Sequence, residues 1–465
     1  MPPIGLCYLA AALESQGADV SVIDLAARFS DFGRGEISGD PISALQAELE
    51  LHNPVLVGIG PLVTATLGPA ASIAAACRLL TDATIILGGP LCAVPGAAAK
   101  LPALIDFDWL VAGDGERPIV ELWKRGRATV GAAVSGAPDP MPWREPDLDS
   151  LPVPARQLLD GVDYASSLRR ALAGSAMTSA FLSRGCPYSC SFCAAPLSSG
   201  RKVRRFSMPR VQSELDACSK LGFGEIIFYD DCLFVRSPKL ENRVTEFCDG
   251  LERSSWHGSY QLELRCDAVV AMSDRSLERL DETGCRQINM GIEKGQASAM
   301  DAIRKRLTPD IAESAVDRVV QSGIRAAGTF ILGGPDEGPE DLEATIDFAT
   351  GLDLDFAHFN PLALYPGTSL FDQVYPGADW LELCRDVDLA PFGDILWRSQ
   401  ELPLERVIEA VDSAYDRFYA TSRLVNVARR ALEGERDAIA AAYERLRLER
   451  AGSWEAPPKA EGATA

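Results

Sequence analysis

The chain has little basic charge. Its 465 residues include 45 Lys and Arg against 66 Asp and Glu, a formal net charge of −21. A field of that sign repels polyanions, so it argues against a nucleic-acid or anionic-membrane partner. The one long uncharged stretch, residues 53–77, is broken by prolines and glycines and does not predict a membrane span. Residues 1–13 have no basic flank and do not predict a signal peptide. These absences predict a cytoplasmic protein acting on a small molecule.

The sequence also lacks a Gly-x-Gly-x-x-Gly motif, a P-loop and an internal repeat. Instead, residues 4–125 alternate helical and apolar strand-like segments, which predicts a doubly wound parallel sheet covered on both faces. Helices are predicted at residues 4–15, 69–80 and 118–123, and strands at 20–24, 55–59, 84–87 and 109–112. Glycines follow three of these strands, where such sheets bind ligands, although tight turns alone also use glycine there. They are Gly60, Gly88, Gly89, Gly113 and Gly115.

A second alternating series begins after a stretch rich in Pro and Gly. Six strand-like runs recur at residues 178–183, 225–229, 260–265, 287–292, 327–332 and 356–360. Helical patterns separate them, which predicts a partial (β/α)6 barrel. The expected organisation is an N-terminal domain over 1–130, a linker over 131–175, a barrel over 176–390, a helical domain over 391–450 and a disordered tail over 451–465.

Three of the twelve cysteines lie together as Cys-x3-Cys-x2-Cys, at Cys186, Cys190 and Cys193. At this cysteine content the spacing is expected by chance about 0.008 times, so coincidence is a poor explanation. Structural zinc needs four ligands, and no histidine or fourth cysteine is near in the sequence. An iron–sulfur cube held by three cysteines leaves one iron open for a substrate or cofactor. The motif therefore predicts a catalytic cluster.

The cysteine loop follows the first predicted barrel strand, and barrel active sites lie at the carboxyl ends of the strands. Other polar residues and glycines end the later strands and are expected on the same rim, although each alone could be a helix cap or a loop ion pair. They are Asp230, Asp231, Arg265, Asp267, Glu293, Gly333, Gly334 and Asn360.

The segment RGCPYSCSFC resembles the cluster loop of radical S-adenosylmethionine (SAM) enzymes. Further segments resemble the class B radical SAM methylases, which carry an N-terminal cobalamin-binding domain. These segments are PPIGLCYLAAALESQG, ILGGP, GDGE, FYDDCLF, INMGIEKG, GTFILGGP and YPGTSLF, and they span most of residues 2–372. The resemblance implies a 4Fe–4S cluster, SAM and cobalamin as cofactors, and a flavodoxin- or ferredoxin-type reductant as partner. It implies methylation of an unactivated carbon through a deoxyadenosyl radical.

The resemblance also implies roles for individual residues. Cys186, Cys190 and Cys193 would ligate the cluster, and Arg265 and Asp231 would be catalytic. SAM would contact Phe192, Tyr229, Asp230, Asp231, Glu263, Arg265, Gly291, Glu293, Gly333 and Gly334. Cobalamin would contact Gly60, Thr64, Gly88, Gly89, Pro90, Gly113, Gly115 and Glu116. Glycines and strand-end side chains at these positions would hold the ligands on rigid elements.

The chain departs from the family pattern at its N-terminus. The resemblance starts after the segment that normally forms the first strand of the cobalamin domain, so that strand is expected to be missing. The three histidines, His52, His257 and His358, lie outside the setting that supplies an axial imidazole. Three alternatives stay open: cobalamin-independent radical chemistry, a non-methylating rearrangement, cyclisation or oxidation, and a non-catalytic corrinoid-binding protein. Methylthiolation of tRNA is disfavoured by the acidic charge and the single cysteine triad.

Overall fold

A computed structural model of the chain describes residues 2–25, 30–31, 36–37, 41–61, 64–125, 143–159, 176–385 and 394–421. Much of the predicted linker, the later part of the predicted helical domain and the tail at 451–465 lie outside these residues. Within them, no helix is both long and apolar enough to cross a membrane.

The N-terminal part contains a three-stranded parallel sheet in the order β3-β4-β5. Its strands are β3 (Leu56–Ile59), β4 (Thr84–Gly88) and β5 (Trp109–Val111), and two short strands, β1 (Ser30–Asp31) and β2 (Glu36–Ile37), pair separately. Its helices are α1 (Ile4–Glu14), α2 (Pro41–His52), α3 (Leu67–Leu80), α4 (Ala97–Lys100) and α5 (Glu116–Arg125). The α/β layering and most of the segments agree with the prediction. The helix α2 was not predicted.

The strand predicted at residues 20–24 is wrong, since these residues form no strand. Val20 and Val22 still pack against the buried core of this part. A strand requires a neighbour for its backbone hydrogen bonds, and the described sheet places none alongside this segment. The apolar pattern of residues 20–24 therefore reflects the burial of Val20 and Val22 and not their pairing in a sheet.

The second part is a six-stranded, fully parallel sheet in the order β13-β12-β11-β10-β9-β6. Its strands are β6 (Ala176–Ala180), β9 (Phe223–Phe228), β10 (Ser259–Leu264), β11 (Cys285–Glu293), β12 (Arg325–Leu332) and β13 (Phe356–Pro361). All six predicted strands are present. Because β6 and β13 are the two edges of this sheet, it forms a curled half-barrel. Short antiparallel strands β7 (Ser183–Arg184) and β8 (Arg204–Arg205) flank the cysteine loop.

The helices of this part follow the strands along the chain. They are α6 (Ala195–Ser199), α7 (Met208–Lys220), α8 (Leu240–Glu252), α9 (Cys266–Ala271), α10 (Asp274–Glu282), α11 (Ala297–Ala302), α12 (Pro309–Gln321), α13 (Pro339–Gly351), α14 (Ser369–Val374), α15 (Trp380–Arg385) and α16 (Leu404–Thr421). Ser207, Ser273 and Thr308 cap three of them by accepting a backbone N–H. Aromatic side chains fill the layer between strand and helix, as where Phe359 of β13 meets Tyr415 of α16.

Strand residues alternate sharply between the two faces of the half-barrel. On β10, Tyr260 and Leu262 are fully buried towards the helices, whereas the intervening Gln261 and Glu263 make polar contacts. Trp380, Trp397, Phe418 and Tyr419 are buried and belong to the hydrophobic core, which is the commoner fate of aromatic residues at helical spacing. The polar residues are thus left for the concave face and the rim.

Candidate active site

The cysteine loop lies at the carboxyl edge of the half-barrel, directly after β6 and β7. Cys186 is buried, and Cys190 and Cys193 are partly exposed. Backbone hydrogen bonds hold the loop at both ends: Cys186 N donates to Gly200 O, and Ser191 N donates to Ile303 O. The loop is therefore a defined structure before any ligand is considered.

The donor set of the cysteine loop fits a 4Fe–4S cluster. Its three thiols, within eight residues, can each bind a different iron of a cubane. Among the described residues, no three His, Cys, Asp or Glu side chains are grouped as ligands of one metal ion. The Ser191 hydroxyl, between two of the cysteines, is buried without a hydrogen-bond partner in the described part of the chain. It is a donor available to a group bound in this loop.

A fourth thiol lies next to the loop, which the sequence did not reveal. Cys232, after β9, lies next to Cys186, and its side chain lowers the pKa of the Cys186 thiol. The prediction that no fourth cysteine lies near the motif is therefore wrong, because Cys232 is distant in sequence but adjacent to Cys186 in the fold. Burial has the opposite effect on Cys193 and raises its pKa to about 11.

Asp230 and Asp231 both bind the start of the cysteine loop. Asp230 is buried and accepts hydrogen bonds from Leu182 N at 3.1 Å and Ser183 Oγ at 2.6 Å. Asp231 Oδ2 accepts a hydrogen bond from Gly185 N at 2.9 Å. The two carboxylates at the end of β9 therefore anchor the backbone that leads into Cys186.

We expect Asp230 to make folding stability depend on pH. Burial raises its pKa to about 7. The folded chain then binds a proton that the unfolded chain has already released, so this group's contribution to stability falls as pH rises from about 4 to 7. Asp230→Asn removes the titration. The free energy of unfolding of the variant, relative to that of the parent protein, should therefore increase by about 2 kcal/mol between pH 5 and pH 8. Thermal unfolding of both proteins at the two pH values measures this change. A pH-independent difference between the two proteins would contradict this account.

Arg265 lies in contact with the cysteine loop. Its guanidinium carbon is 3.8 Å from the ring centre of Tyr188, and its Nη1 is 3.9 Å from Cys190 Sγ. Nε donates to Asp267 at 2.9 Å, and Nη2 donates to the carbonyl of Lys305 at 3.0 Å. The Arg265 guanidinium is always charged and is held in place beside a cluster thiol. It could therefore bind a carboxylate of a ligand or stabilise the negative charge of the cluster.

Glu293 forms a buried ion pair close to the same thiol. Its Oε1 accepts from Lys305 Nζ at 2.6 Å, and both side chains are about 8% exposed. Glu293 has a φ of 73°, a left-handed conformation that costs energy for a residue other than glycine and is found at functional sites. Gly291 makes room for the pair, because a Cβ there would lie 2.6 Å from Glu293 Oε1 and 2.8 Å from Lys305 Nζ.

We expect Gly291→Ala to disturb this pair. Overpacking of this kind costs about 1–3 kcal/mol, and the displaced charges should also weaken SAM binding at the rim. Thermal unfolding and SAM titration by calorimetry measure the two effects. Gly351→Ala is the matched control, since a Cβ at Gly351 meets nothing within 4 Å. Equal behaviour of the two variants would show that the pair tolerates displacement.

The ends of β11 and β12 are joined by a second buried pair. Lys294 Nζ donates to Glu337 Oε2 at 2.6 Å and to Gly333 O at 2.9 Å. Their side chains are 1% and 4% exposed. Gly334 is packed closely, because a Cβ there would lie 3.0 Å from Glu337 Oε2. The Gly333–Gly334 turn is thus set by this pair and lies on the predicted rim.

The remaining predicted SAM contacts lie on or beside the same strands. Glu263 of β10 accepts from Asn289 Nδ2 at 3.0 Å. Tyr229, after β9, is 39% exposed, and Phe192 packs against the hydrophobic core from the cysteine loop. The half-barrel therefore gathers all the predicted cluster and SAM residues at one edge.

The predicted cobalamin contacts lie at the carboxyl edge of the N-terminal sheet. Gly60 follows β3, and Gly88, Gly89 and Pro90 lie at the end of β4. Gly89 has a φ of 106°, and a Cβ there would lie 2.8 Å from Pro61 O, so only glycine fits. Thr64 is buried, and its hydroxyl donates to Asp394 at 2.5 Å.

The GDGE segment follows β5 and contacts protein groups on two sides. Gly113 forms a bridge with Trp143, and Gly115 lies against Leu9. Glu116 Oε1 accepts from Arg184 of β7 at 2.6 Å. Its second oxygen, Oε2, is buried with no hydrogen-bond partner among the described residues.

The carboxyl edges of the two sheets face each other. Each of the three N-terminal strand-end loops contacts the cysteine-loop side of the half-barrel: Thr64 contacts Asp394, Pro95 O accepts from Trp380 Nε1 at 3.3 Å, and Glu116 contacts Arg184. Residues 143–159 also bridge the two parts, as where Arg144 Nη2 donates to Leu197 O at 2.5 Å. A ligand on the N-terminal edge would thus face the cysteine loop.

Several site residues were missed by sequence reasoning. Lys305, Cys232, Tyr188 and Arg184 all contact the predicted site residues. Arg184 stands within the quoted RGC segment, so its position was a usable signal. Lys305 lies between two residues with positive φ, Arg304 and Arg306, and no sequence pattern marks that loop.

A parallel half-barrel with three cysteines after its first strand defines a class of cluster-dependent enzymes. Comparison with known proteins agrees, since residues 181–349 match the model of the radical SAM superfamily. Residues 181–349 thus form a radical SAM domain, and the protein is a radical SAM enzyme. That domain implies a 4Fe–4S cluster and SAM, which the residues of the half-barrel edge fit.

Relatives and solved structures extend the likeness beyond the barrel. The chain is 28% identical over 448 residues to an uncharacterized methyltransferase of Pyrococcus horikoshii, covering 91% of this chain and 89% of that one. It resembles the radical SAM methyltransferase TsrM of Kitasatospora setae, solved with cobalamin and a 4Fe–4S cluster, with a TM-score of 0.63, 21% identity, and coverage of 83% and 76%. It resembles the cobalamin-dependent radical SAM enzyme OxsB with a TM-score of 0.60, 17% identity, and coverage of 93% and 59%. At these identities the two structures show the fold.

Proposed function

We propose that this enzyme uses cobalamin, together with its cluster and SAM, to methylate an unactivated carbon of a small molecule. The observation that carries the proposal is the opposition of the two carboxyl edges. The loops after β3, β4 and β5 all contact the cysteine-loop side of the half-barrel. A cofactor bound by those loops would lie across from SAM, as a transfer between two cofactors and a shared substrate requires. The methyltransferase of Pyrococcus horikoshii, similar over most of both chains, supports the reaction class.

The residues of the half-barrel would divide the work as follows. Cys186, Cys190 and Cys193 would hold the cluster, and Arg265, beside Cys190, would bind the SAM carboxylate or stabilise the cluster charge. Tyr229 and Glu263 would meet other polar groups of SAM, and Gly291, Glu293 and the Gly333–Gly334 turn would line its adenine. Asp230 and Asp231 would act through the loop backbone that they hold. In this family, the cluster supplies the electron that cleaves SAM, and cobalamin supplies the methyl group.

The N-terminal edge fits a corrin in chemistry as well as in position. Glycines at its strand ends allow close approach of a backbone to a ligand, and the buried Glu116 Oε2, which has no hydrogen-bond partner among the described residues, could make a polar contact. His52, the one histidine of this part, belongs to α2 and lies 3.4 Å from Glu48. A corrin here would therefore be bound without that imidazole. We further propose a flavodoxin- or ferredoxin-type reductant and a cytoplasmic location, in keeping with twelve free cysteines.

Anaerobic reconstitution with iron, sulfide and hydroxocobalamin tests the proposal. After desalting, visible spectroscopy should show an iron–sulfur band and about one corrin per chain. SAM and reductant should then yield deoxyadenosine. Deoxyadenosine without bound corrin would favour a cobalamin-independent rearrangement, cyclisation or oxidation. Bound corrin without deoxyadenosine would indicate a non-catalytic corrinoid-binding protein.

A further inference from the structure

Arg184 connects the cysteine loop to the N-terminal part through two buried ion pairs. It stands two residues before Cys186, on β7. Its Nη1 is 3.1 Å from Asp114 Oδ1, and its Nη2 is 2.6 Å from Glu116 Oε1. The Arg184 side chain is 13% exposed, and the two carboxylates are 7% and 5% exposed. Both acids belong to the GDGE segment after β5.

The same stretch of chain is held from the opposite side by the half-barrel. Asp230 binds Leu182 N and Ser183 Oγ, and Asp231 binds Gly185 N. The backbone around Arg184 is thus tied to β9, while its side chain is tied to β5.

Neighbouring groups make this arrangement rigid. Arg204, the partner of Arg184 on β8, pairs with Asp114 as well and donates to Glu145 O at 2.7 Å. The Arg184 guanidinium carbon lies 5.0 Å from the ring centre of Tyr8 on α1. The Tyr8 hydroxyl in turn donates to Glu214 of α7 at 3.1 Å. The Arg184 guanidinium thus contacts the GDGE segment and α1, and these are tied in turn to β8 and to α7.

Buried ion pairs contribute little net stability but strongly favour one geometry, because a displaced charge would lose its partner in a low-dielectric site. A misplacement of about 1 Å between reacting groups can cost about 100-fold in rate. The Asp114–Arg184–Glu116 bridge is positioned to fix the distance between the cysteine loop and the N-terminal sheet. It joins the loop that holds the cluster to the edge that we assign to cobalamin.

We propose that Arg184 is a positioning residue: through Asp114 and Glu116 it fixes the cysteine loop relative to the N-terminal sheet and so couples SAM cleavage to methyl transfer. The coupling to methyl transfer rests on the proposed function. The positioning itself is independent of which reaction follows.

Two variants of Arg184 test the inference on the full-length enzyme. Arg184→Met removes the charge, and Arg184→Lys keeps it but cannot bind both carboxylates at once. Asp379→Asn is the matched control, because the Lys100–Asp379 pair also joins the N-terminal part to the rest, at 2.7 Å, but is partly exposed and remote in sequence from the cysteine loop. Hydrogen exchange by mass spectrometry follows residues 182–190 with and without the cluster.

We expect both Arg184 variants to speed exchange in residues 182–190 by at least about tenfold, while Asp379→Asn leaves it unchanged. Iron content should stay near that of the parent enzyme. Methylated product per deoxyadenosine should fall at least about tenfold, and less for Arg184→Lys than for Arg184→Met. If Arg184→Met does not fold, Arg184→Lys alone decides the result.

Two outcomes would overturn the inference. Unchanged exchange in the Arg184 variants would show that the loop is held without the Arg184 ion pairs. An unchanged product ratio despite faster exchange would show that the held position does not matter for coupling. If the parent enzyme forms no methylated product, the proposed function fails, while the exchange measurement still decides whether Arg184 positions the loop.

Discussion

Replacing Cys190 with alanine is expected to abolish the cluster and the cleavage of SAM. Three thiols of one loop must hold three irons so that the fourth stays open to SAM. With Cys190 absent, Arg265 would also lose the sulfur that lies 3.9 Å from its Nη1. Iron content after anaerobic reconstitution should fall well below about four per chain. Deoxyadenosine formation should fall at least about 10³-fold. Iron assay, visible spectroscopy and liquid chromatography measure these effects.

Two further cysteine variants sharpen this test. Cys248→Ala is the control, since Cys248 is equally able to bind metal in principle but lies buried in α8 beside Thr283. It should keep the cluster. Cys186→Ala should keep more iron than Cys190→Ala, because Cys232 already contacts Cys186 and its thiol can replace the missing ligand. Cys186→Ala/Cys232→Ala should then lose the cluster fully. An intact, active cluster in Cys190→Ala would refute the assignment of the loop.

Breaking the Lys294–Glu337 pair is expected to cause the largest loss of stability. The pair is almost wholly buried, and burial lowers the pKa of Lys294 and raises that of Glu337. Glu337→Gln would leave the Lys294 charge in the protein interior without its counter-ion, at a cost of about 3–5 kcal/mol. Lys294→Met should also be destabilising, because it leaves the buried Glu337 without its counter-ion. Thermal and urea unfolding measure both.

The double variant Lys294→Met/Glu337→Leu separates charge from packing. Replacement of both partners of a buried pair by apolar groups is often nearly neutral, so the double variant should be more stable than either single one. Arg406→Ala, which removes an exposed pair with Glu409, is the control and should leave unfolding unchanged. Additive losses in the double variant would mean that the pair contributes through packing alone.

The two buried pairs at the rim have a common consequence for function. Lys294–Glu337 joins the ends of β11 and β12, and Lys305–Glu293 joins β11 to the loop that also binds Ser191 through Ile303 O. The predicted SAM contacts Gly291 and Gly334 lie against these ion pairs, and Gly333 O accepts from Lys294 Nζ. Preorganised polar groups of this kind hold a charged ligand without reorganisation.

The sequence by itself determined the features that depend on neighbours along the chain. The six barrel strands were predictable because buried parallel strands are continuous apolar runs. The cluster ligands were predictable because three thiols within eight residues form one local motif. The strand at residues 20–24 failed for the complementary reason: its apolar pattern was real, but a strand exists only through hydrogen bonds to a partner that the pattern does not contain.

The tertiary structure alone decided which distant groups meet. Cys232 reaches Cys186, Lys305 reaches Glu293 across Gly291, and Arg184 reaches Glu116 of the other sheet. Each contact joins segments from different strand ends, and no periodicity or spacing encodes such a distance. The facing of the two carboxyl edges belongs to the same category, since it follows from how two sheets pack. Burial strengthens these contacts, because charges and thiols that are removed from water interact strongly with the few neighbouring groups.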